Sequence, residues 1–332
     1  MEIKLKKIFN MNLNKKETIL ITGGFGYLGT FLTNLLLKKN YKVVVVDNLC
    51  NGKKFKKKNL IHINKKFSSD IVANYIKKKN IKKIIHLAAY IDAEESVKNP
   101  TKYFKNNVIE FKKFLENIKD LKLNKIIFAS SAAVYGNGSK NKISESFEIK
   151  PMSPYGLSKY QGEELLNYFS KKYLFSSYCL RFFNIAGANI KIGCGPFNSS
   201  YNHIFNILLK KKIFFINGID YSTIDGTCIR DYVNVSDVSE VILRLLKLKE
   251  TDKKNHIFNC GSGKGTSVKS IANEFKNKVK SDLIVKIGKR RAGDPTSIIS
   301  NNLKIKKLIQ IKFKNSHLKQ ILKEYNEWNK NK

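Results

Sequence analysis

Residues 18–29 read TILITGGFGYLG. A short apolar run gives way to glycines at G-x-x-G-x-x-G spacing, Gly23, Gly26 and Gly29, and a helical pattern runs from Tyr27 to Lys38. A strand that breaks on glycine and re-forms at once as a helix brings the helix N-terminus to the end of the strand. The glycines permit a tight turn, a close backbone approach to a diphosphate and close helix-to-sheet packing, and the helix offers its unpaired N–H groups to the anion. The next run outward, YKVVVVD at residues 41–47, is β-branched throughout, as a central parallel strand buried on both faces should be. It ends on Asp47, about 20 residues past the turn, where a carboxylate accepts hydrogen bonds from ribose hydroxyls. The same carboxylate repels a 2′-phosphate, so the expected cofactor is NAD and not NADP.

The theme repeats in KIIHLA (83–88), KIIFAS (125–130) and SYCLRF (177–182), with helical patterns at residues 100–119 and 154–172 between them. Strands alternating with helices predict an α/β fold, a doubly wound parallel sheet. Beyond about Asn184 the pattern loosens. HIFNC (256–260) reads as a late strand and residues 268–279 as a helix. The expected organisation is an N-terminal extension (1–16), a dinucleotide-binding Rossmann domain (17–187 and 234–262), and a smaller C-terminal substrate-binding domain (188–233 and 263–332).

Composition narrows the function. The chain has 332 residues, 42% hydrophobic, enough for a substantial core. Its formal net charge of +37 would suit a polyanion partner, but the lysines are scattered over loops, helix faces and both termini among Asn and Ile. They read as solvated surface, with no specific nucleic-acid partner. Of 63 basic residues only Arg181, Arg230, Arg244, Arg290 and Arg291 are arginine. A chain so biased keeps arginine where a planar, bidentate cation is needed. Arg230 and Arg291 read as ligand-binding, Arg181 and Arg244 as structural. Five cysteines, Cys50, Cys179, Cys194, Cys228 and Cys260, include no C-x-x-C, which implies neither a disulfide framework nor a metal site. The first residues lack a signal peptide's apolar region, and no run approaches the ~20 apolar residues of a membrane span. The expectation is a cytoplasmic protein with no membrane partner.

The chemistry is read from SPYGLSKYQGEELL, residues 153–166. Pro154 suits the first turn of a helix, which sets Tyr155 and Lys159 one turn apart on one face. A free tyrosine titrates near 10 and is a poor base at neutral pH, but a neighbouring ammonium and a bound nicotinamide cation favour its phenolate. Ser130 and Ser131 end another parallel strand, at the carboxyl edge where this architecture binds ligands. A Tyr–Lys pair on an arbitrary helix is ordinary surface. Behind a dinucleotide fingerprint and beside that serine pair it reads as a proton-transfer device.

These blocks, with DNLCNG, FASSAAVYG, LRFFNIAGA, DYSTIDGTCIRDYVNVSD and RRAGDP in the same order and spacing, resemble the extended short-chain dehydrogenase/reductase family over about residues 17–310. The last two blocks resemble its nucleotide-sugar members, the UDP-hexose 4-epimerases in particular. The resemblance implies Tyr155 as acid/base, Lys159 as its electrostatic partner and Ser131 as the hydroxyl beside it. It implies that Gly23, Gly26, Tyr27, Leu28, Gly29, Asp47, Asn48 and Asn107 hold NAD together with Tyr155 and Lys159. Asn184, Arg230 and Arg291 would grip the diphosphate of a UDP-sugar and Asp294 its ribose. His203 and Ile204 would lie over the nucleotide, and Ile298 would close the sugar pocket near the 2-position. A homodimer is implied, and no metal.

This chain departs from the family pattern at three places. Asn64, Lys65 and Lys66 stand where a carboxylate often holds the adenine amine, with Asp70 several residues late, and Ile91 replaces a basic residue after the fourth strand. Residues 191–203 match the usual loop poorly. The rival chemistry, dehydration, needs an acid just after the serine, and this chain has Ala132 and Ala133.

Overall fold

The computed structural model describes residues 17–139, 141–195, 204–249, 252–290 and 294–331. The chain forms β1 (Thr18–Thr22), β2 (Lys42–Val46), β3 (Leu60–Ile63), β4 (Lys83–His86), β5 (Lys125–Ser131), β6 (Ser176–Phe182), β7 (Asn184–Ala186), β8 (Ile213–Asn217), β9 (Ile229–Asn234), β10 (Asn255–Cys260), β11 (Gly265–Ser267), β12 (Ile284–Gly288) and β13 (Ser297–Ile298). Seven of these make one sheet in the order β10-β6-β5-β4-β1-β2-β3, and each pairing in it is parallel. The order reverses between β1 and β4, so their carboxyl ends open a crevice, the place where doubly wound sheets bind ligands.

Apolar runs on β1, β2, β4 and β5 bury side chains on both faces. One face carries Ile19, Ile21, Val43 and Val45 against the helices Tyr27–Lys38 and Val235–Lys247. The other carries Leu20, Val44, Ile84 and Ile126 against the helices Asp70–Lys78, Glu110–Ile118 and Pro154–Lys172. The helix Pro154–Lys172 begins as its sequence indicates: Ser153 caps it, its hydroxyl accepting from Gly156 N at 3.1 Å, and Pro154 sits in the first turn. At the opposite end of the sheet the fully buried Lys125 donates at 2.7 Å to the carbonyls of Leu245 and Leu248. A cation at this helix C-terminus satisfies acceptors that the helix itself leaves open.

A second region has its own core of Phe205, Leu208, Phe214, Ile216, Phe275, Ile321, Tyr325 and Trp328. Its strands form the short sheet β11-β9-β13, with β7 beside β9, and the parallel pair β8-β12. Sequence pattern did not single out β8 or β12. The helix Leu303–Ile309, expected in this second region, instead turns Ile305 and Ile309 into the core of the large sheet. Among the described residues no helix is long and apolar enough to cross a membrane.

Asp231 fastens the two regions. It is 1% exposed, and its carboxylate accepts from Ser262 N (2.8 Å), Ser262 Oγ (2.5 Å), Gly263 N (3.0 Å), Ser300 N (3.0 Å) and Ser300 Oγ (2.6 Å). These partners tie β9 to the segment after β10 and to the segment after β13. A buried donor stripped of its acceptor costs ~1–3 kcal/mol, and here backbone donors lose theirs together. Asp231→Ala should therefore lower the unfolding free energy by about 3 kcal/mol or more in urea titrations; a loss below about 1 kcal/mol would show that the carboxylate is not what joins the regions.

Candidate active site

The crevice at the carboxyl ends of the strands is a cavity of about 1420 Å³, walled by the glycine turn, the ends of β2, β4 and β5, the start of the helix Pro154–Lys172, β7 and the β9/β13 pair. Its floor is set by the turn. Gly23 has φ +70°, and a Cβ there would lie 2.8 Å from Ala88 N; a Cβ on Gly29 would lie 2.3 Å from Gly23 O. Gly26 differs, since a Cβ on it would meet only Gly23 O, at 3.5 Å. Its missing side chain leaves room in the cavity, in front of a helix whose first turn carries no acidic residue and whose cap makes no side-chain hydrogen bond. That cradle fits a diphosphate.

Asp47, 9% exposed, stands beside the cradle and lines the cavity. Its carboxylate accepts from Phe25 N at 2.9 Å and Leu49 N at 2.8 Å, which holds the glycine turn to the end of β2 and aims the remaining lone pairs at the crevice. Asn48 and Leu28 also line the wall. Tyr27 lines it too, and its hydroxyl donates to Gly187 O at 2.5 Å, linking the turn to the segment that follows β7.

Lys159 reaches up from the helix Pro154–Lys172, 3% exposed, and donates to Ala129 O at 2.7 Å with its ammonium 5.1 Å over the Phe128 ring. Burial pushes its pKa down to about 7, against an opposing pull from the Glu163 carboxylate. Tyr155, one turn earlier, lines the cavity; its backbone N donates to Ser96 Oγ at 3.1 Å and its ring stands edge-on to Tyr103. The two serines part company. Both line the cavity, but Ser130 Oγ donates to Glu163 Oε1 at 2.5 Å, whereas Ser131 begins a short 3-10 turn and accepts from Ala133 N at 3.1 Å. Ala132 and Ala133 line the same wall and offer no acid.

At the other end β13 lies parallel to β9 with Ile298 opposite Arg230. Arg230 spends one nitrogen on the carbonyls of Ile229 (2.9 Å) and Pro295 (2.7 Å), and another on Asp294 Oδ1 at 2.5 Å. Asp294 also accepts from Tyr221 OH at 3.4 Å. Asn184, at the start of β7, faces the same space, so Asn184, Arg230, Asp294 and Ile298 share one wall.

Some expectations change. Asn107 does not line the cavity: it is 4% exposed in a widened π-type turn, and its amide brackets Tyr90, accepting from Tyr90 N at 3.0 Å and donating to Tyr90 O at 2.9 Å. It shapes the wall after β4 from behind. Ile204 packs toward the second region's core, and Asn206, two residues on, takes the place on the wall. Asp70 is likewise off the wall, accepting from Asn117 at 2.9 Å, while Lys65, Lys66 and Phe67 line that end. His203 and Arg291 lie outside the described residues. Sequence reasoning missed Lys102, which lines the cavity 4.3 Å over the Tyr90 ring and pairs with Glu95. It also missed Tyr325, which reaches the cavity from the last helix; neither carries a motif of its own. Among the described residues no three His, Cys, Asp or Glu side chains gather to hold a metal.

The NAD dependent epimerase/dehydratase family model matches residues 19–261. The chain is 32% identical over 322 residues to the UDP-glucose 4-epimerase of Lactobacillus helveticus, covering 94% of this chain and 97% of that one. The solved UDP-Glc/GlcNAc 4-epimerase from Campylobacter jejuni is 32% identical with a TM-score of 0.80, over 95% of this chain and all (100%) of its own. A UDP-glucose 4-epimerase from Brucella ovis, solved in complex with NAD, is 28% identical with a TM-score of 0.86, covering 94% and 98% of the two chains. The glycine cradle, the Tyr155–Lys159 helix and a family match running from β1 through β10 agree, and the chain belongs to the NAD-dependent epimerase/dehydratase family.

Proposed function

We propose that this NAD-dependent enzyme is a 4-epimerase of UDP-hexoses, interconverting UDP-glucose and UDP-galactose. The observation that carries the reading is one continuous cavity with a diphosphate cradle at one end, Arg230 and Asp294 at the other, and Tyr155, Lys159 and Ser131 on its wall. At about 1420 Å³ it exceeds the ~300–1,000 Å³ usual for a single small ligand, which suits a dinucleotide and a nucleotide sugar together. When bound, NAD supplies a reversible hydride acceptor for C4 of the sugar. Tyr155 takes the proton of the 4-hydroxyl and later returns one to the same oxygen. Lys159, while charged, favours the phenolate, and Ser131 hydrogen-bonds the reacting oxygen. Asn184, Arg230 and Asp294, with Arg291, anchor the UDP, so that the 4-keto sugar can turn over without escaping. The planar fork of an arginine suits that diphosphate. Alanine at positions 132 and 133 argues against dehydration.

A coupled assay for conversion of UDP-galactose to UDP-glucose, with and without added NAD, tests the reading. The assembly we propose is a homodimer, for which Val97, Ile109, Leu157 and Tyr168 supply exposed apolar residues on neighbouring helices. A cytoplasmic location suits its free cysteines.

Tyr155→Phe should cut kcat by at least ~10²-fold while UDP and NAD binding stay within a few-fold, because only the proton-transfer group is lost. Retention of a tenth of wild-type turnover would remove Tyr155 from the role.

Cofactor retention generates a second expectation. With Asp70 turned to Asn117 and Lys65 and Lys66 on the wall, the adenine amine loses one acceptor, worth ~1 kcal/mol or several-fold in affinity. Purified protein should shed NAD on dialysis and regain activity when NAD is restored; full loading after extensive dialysis would mean that another group makes the contact.

Substrate choice turns on Ile298, which packs beside Gly138 and lines the cavity. Its β-branch keeps it stiff, so it should disfavour a 2-N-acetyl group. We expect Ile298→Ala to raise kcat/KM for UDP-N-acetylgalactosamine relative to UDP-galactose by roughly tenfold, the ~1–3 kcal/mol range of a small apolar contact. An unchanged ratio would show that this side chain does not gate the pocket.

A further inference from the structure

Behind Lys159 lies a buried polar chain to which the proton-transfer reading assigns nothing. Glu163, 0% exposed, stands one helical turn beyond Lys159. Its Oε1 accepts from Ser130 Oγ at 2.5 Å and from Arg181 Nε at 2.9 Å, and its Oε2 accepts from Arg181 Nη2 at 2.7 Å. Arg181, 2% exposed, goes on to donate to Tyr135 OH at 2.9 Å, and Tyr135 donates to Asn259 Oδ1 at 2.6 Å. Strands β5 and β6 thus converge with the helix Pro154–Lys172 on one carboxylate, and β10 joins them through Tyr135. That carboxylate adjoins two residues of the proposed machinery: Ser131 follows its partner Ser130, and Lys159 precedes Glu163 by four residues, the spacing at which helical side chains face one another.

A full ion pair in so dry a place is poor value for stability alone, since desolvating both charges cancels much of their attraction. We infer that Glu163, held by Arg181 and Ser130, is a positioning residue that keeps the Lys159 ammonium charged beside Tyr155. The inference rests on the role given to Tyr155 and Lys159 above.

The groups around Lys159 leave Glu163 as the one that can do this. Tyr155 and Glu163 flank Lys159 on its own helix. From β4 comes His86, which burial holds far below its usual pKa and therefore neutral. From β5 comes the Ala129 carbonyl. From β6 come Arg181, bound to Glu163, and Cys179, whose thiol burial keeps protonated. Burial alone drives Lys159 toward the neutral amine, and the Glu163 carboxylate opposes it, leaving the pKa at about 7.

The test reads Lys159 directly in the ligand-free protein with 13Cε-labelled lysine, by NMR titration. A lysine titrating near neutrality stands apart from surface lysines, which titrate near 10, and its loss in Lys159→Arg assigns it. Glu163→Gln should lower the midpoint by at least about one pH unit and reduce kcat about tenfold, with KM for the UDP-sugar within a few-fold of wild type. A merely structural role predicts the opposite sign, because a loosened pocket admits water and lifts the midpoint toward 10; a rise, or no change, overturns the inference. Should Glu163→Gln fail to fold around an unpaired Arg181, the double variant Glu163→Gln/Arg181→Met removes both buried charges and is read the same way, by a midpoint below that of wild type. Absence of epimerase turnover in the wild-type protein would overturn the functional reading instead, and the titration distinguishes the two failures.

Discussion

At Gly23 and Gly29 the backbone approaches itself so closely that a single added carbon would force β1, the segment after β4 and the first helix apart. The closeness of that turn sets the rest of the site. It brings a helix N-terminus to the crevice between β1 and β4, and Asp47 holds it there through Phe25 N. Asn107 clamps Tyr90 on the facing wall, so both sides of the crevice are fixed by a side chain bonded to backbone. A site built from backbone approach tolerates little drift, because its dimensions are those of the sheet.

The opposite wall obeys a different constraint. Lys159 sits where a charge is costly, and its pKa shows the cost. An unfolded lysine stays protonated to about 10, the folded one to about 7. Between those values the unfolded chain binds the extra proton, so this group makes the ligand-free fold more stable as pH rises through the window and less stable below it. The fold would be easier to hold with an apolar side chain there. A residue that works against stability is one expected at a site of chemistry.

What was legible in the sequence follows from range. The helix Pro154–Lys172 could be read to the residue because its cap, its first-turn proline and its period are local, and the strands of the large sheet announced themselves as buried apolar runs. The pair β8-β12 did not, because its stability comes from pairing residues some seventy apart in the chain. Likewise Leu303–Ile309 looks like any short amphipathic helix, and nothing local says which core takes Ile305 and Ile309. Asn107 and Ile204 were placed by motif position, which names a neighbourhood and not the direction of a side chain. The chain Ser130–Glu163–Arg181–Tyr135 was invisible for the same reason: its members come from β5, the helix Pro154–Lys172, β6 and the turn after β5.

The basic composition resolves on the same terms. Each described arginine uses the shape of its guanidinium. Arg181 forks onto Glu163, Arg230 divides itself among two carbonyls and Asp294, Arg244 joins Glu240 to the carbonyls of Ile309 and Gln310, and Arg290 lies 4.0 Å over the Tyr221 ring while pairing with Asp220. A lysine offers one point of charge and could serve none of these arrangements fully. Where one point is enough, even in the core, lysine stands: Lys125 ties off a helix end and Lys159 faces Ala129 O. The excess positive charge is therefore a matter of surface, and the work of the cations is divided by geometry.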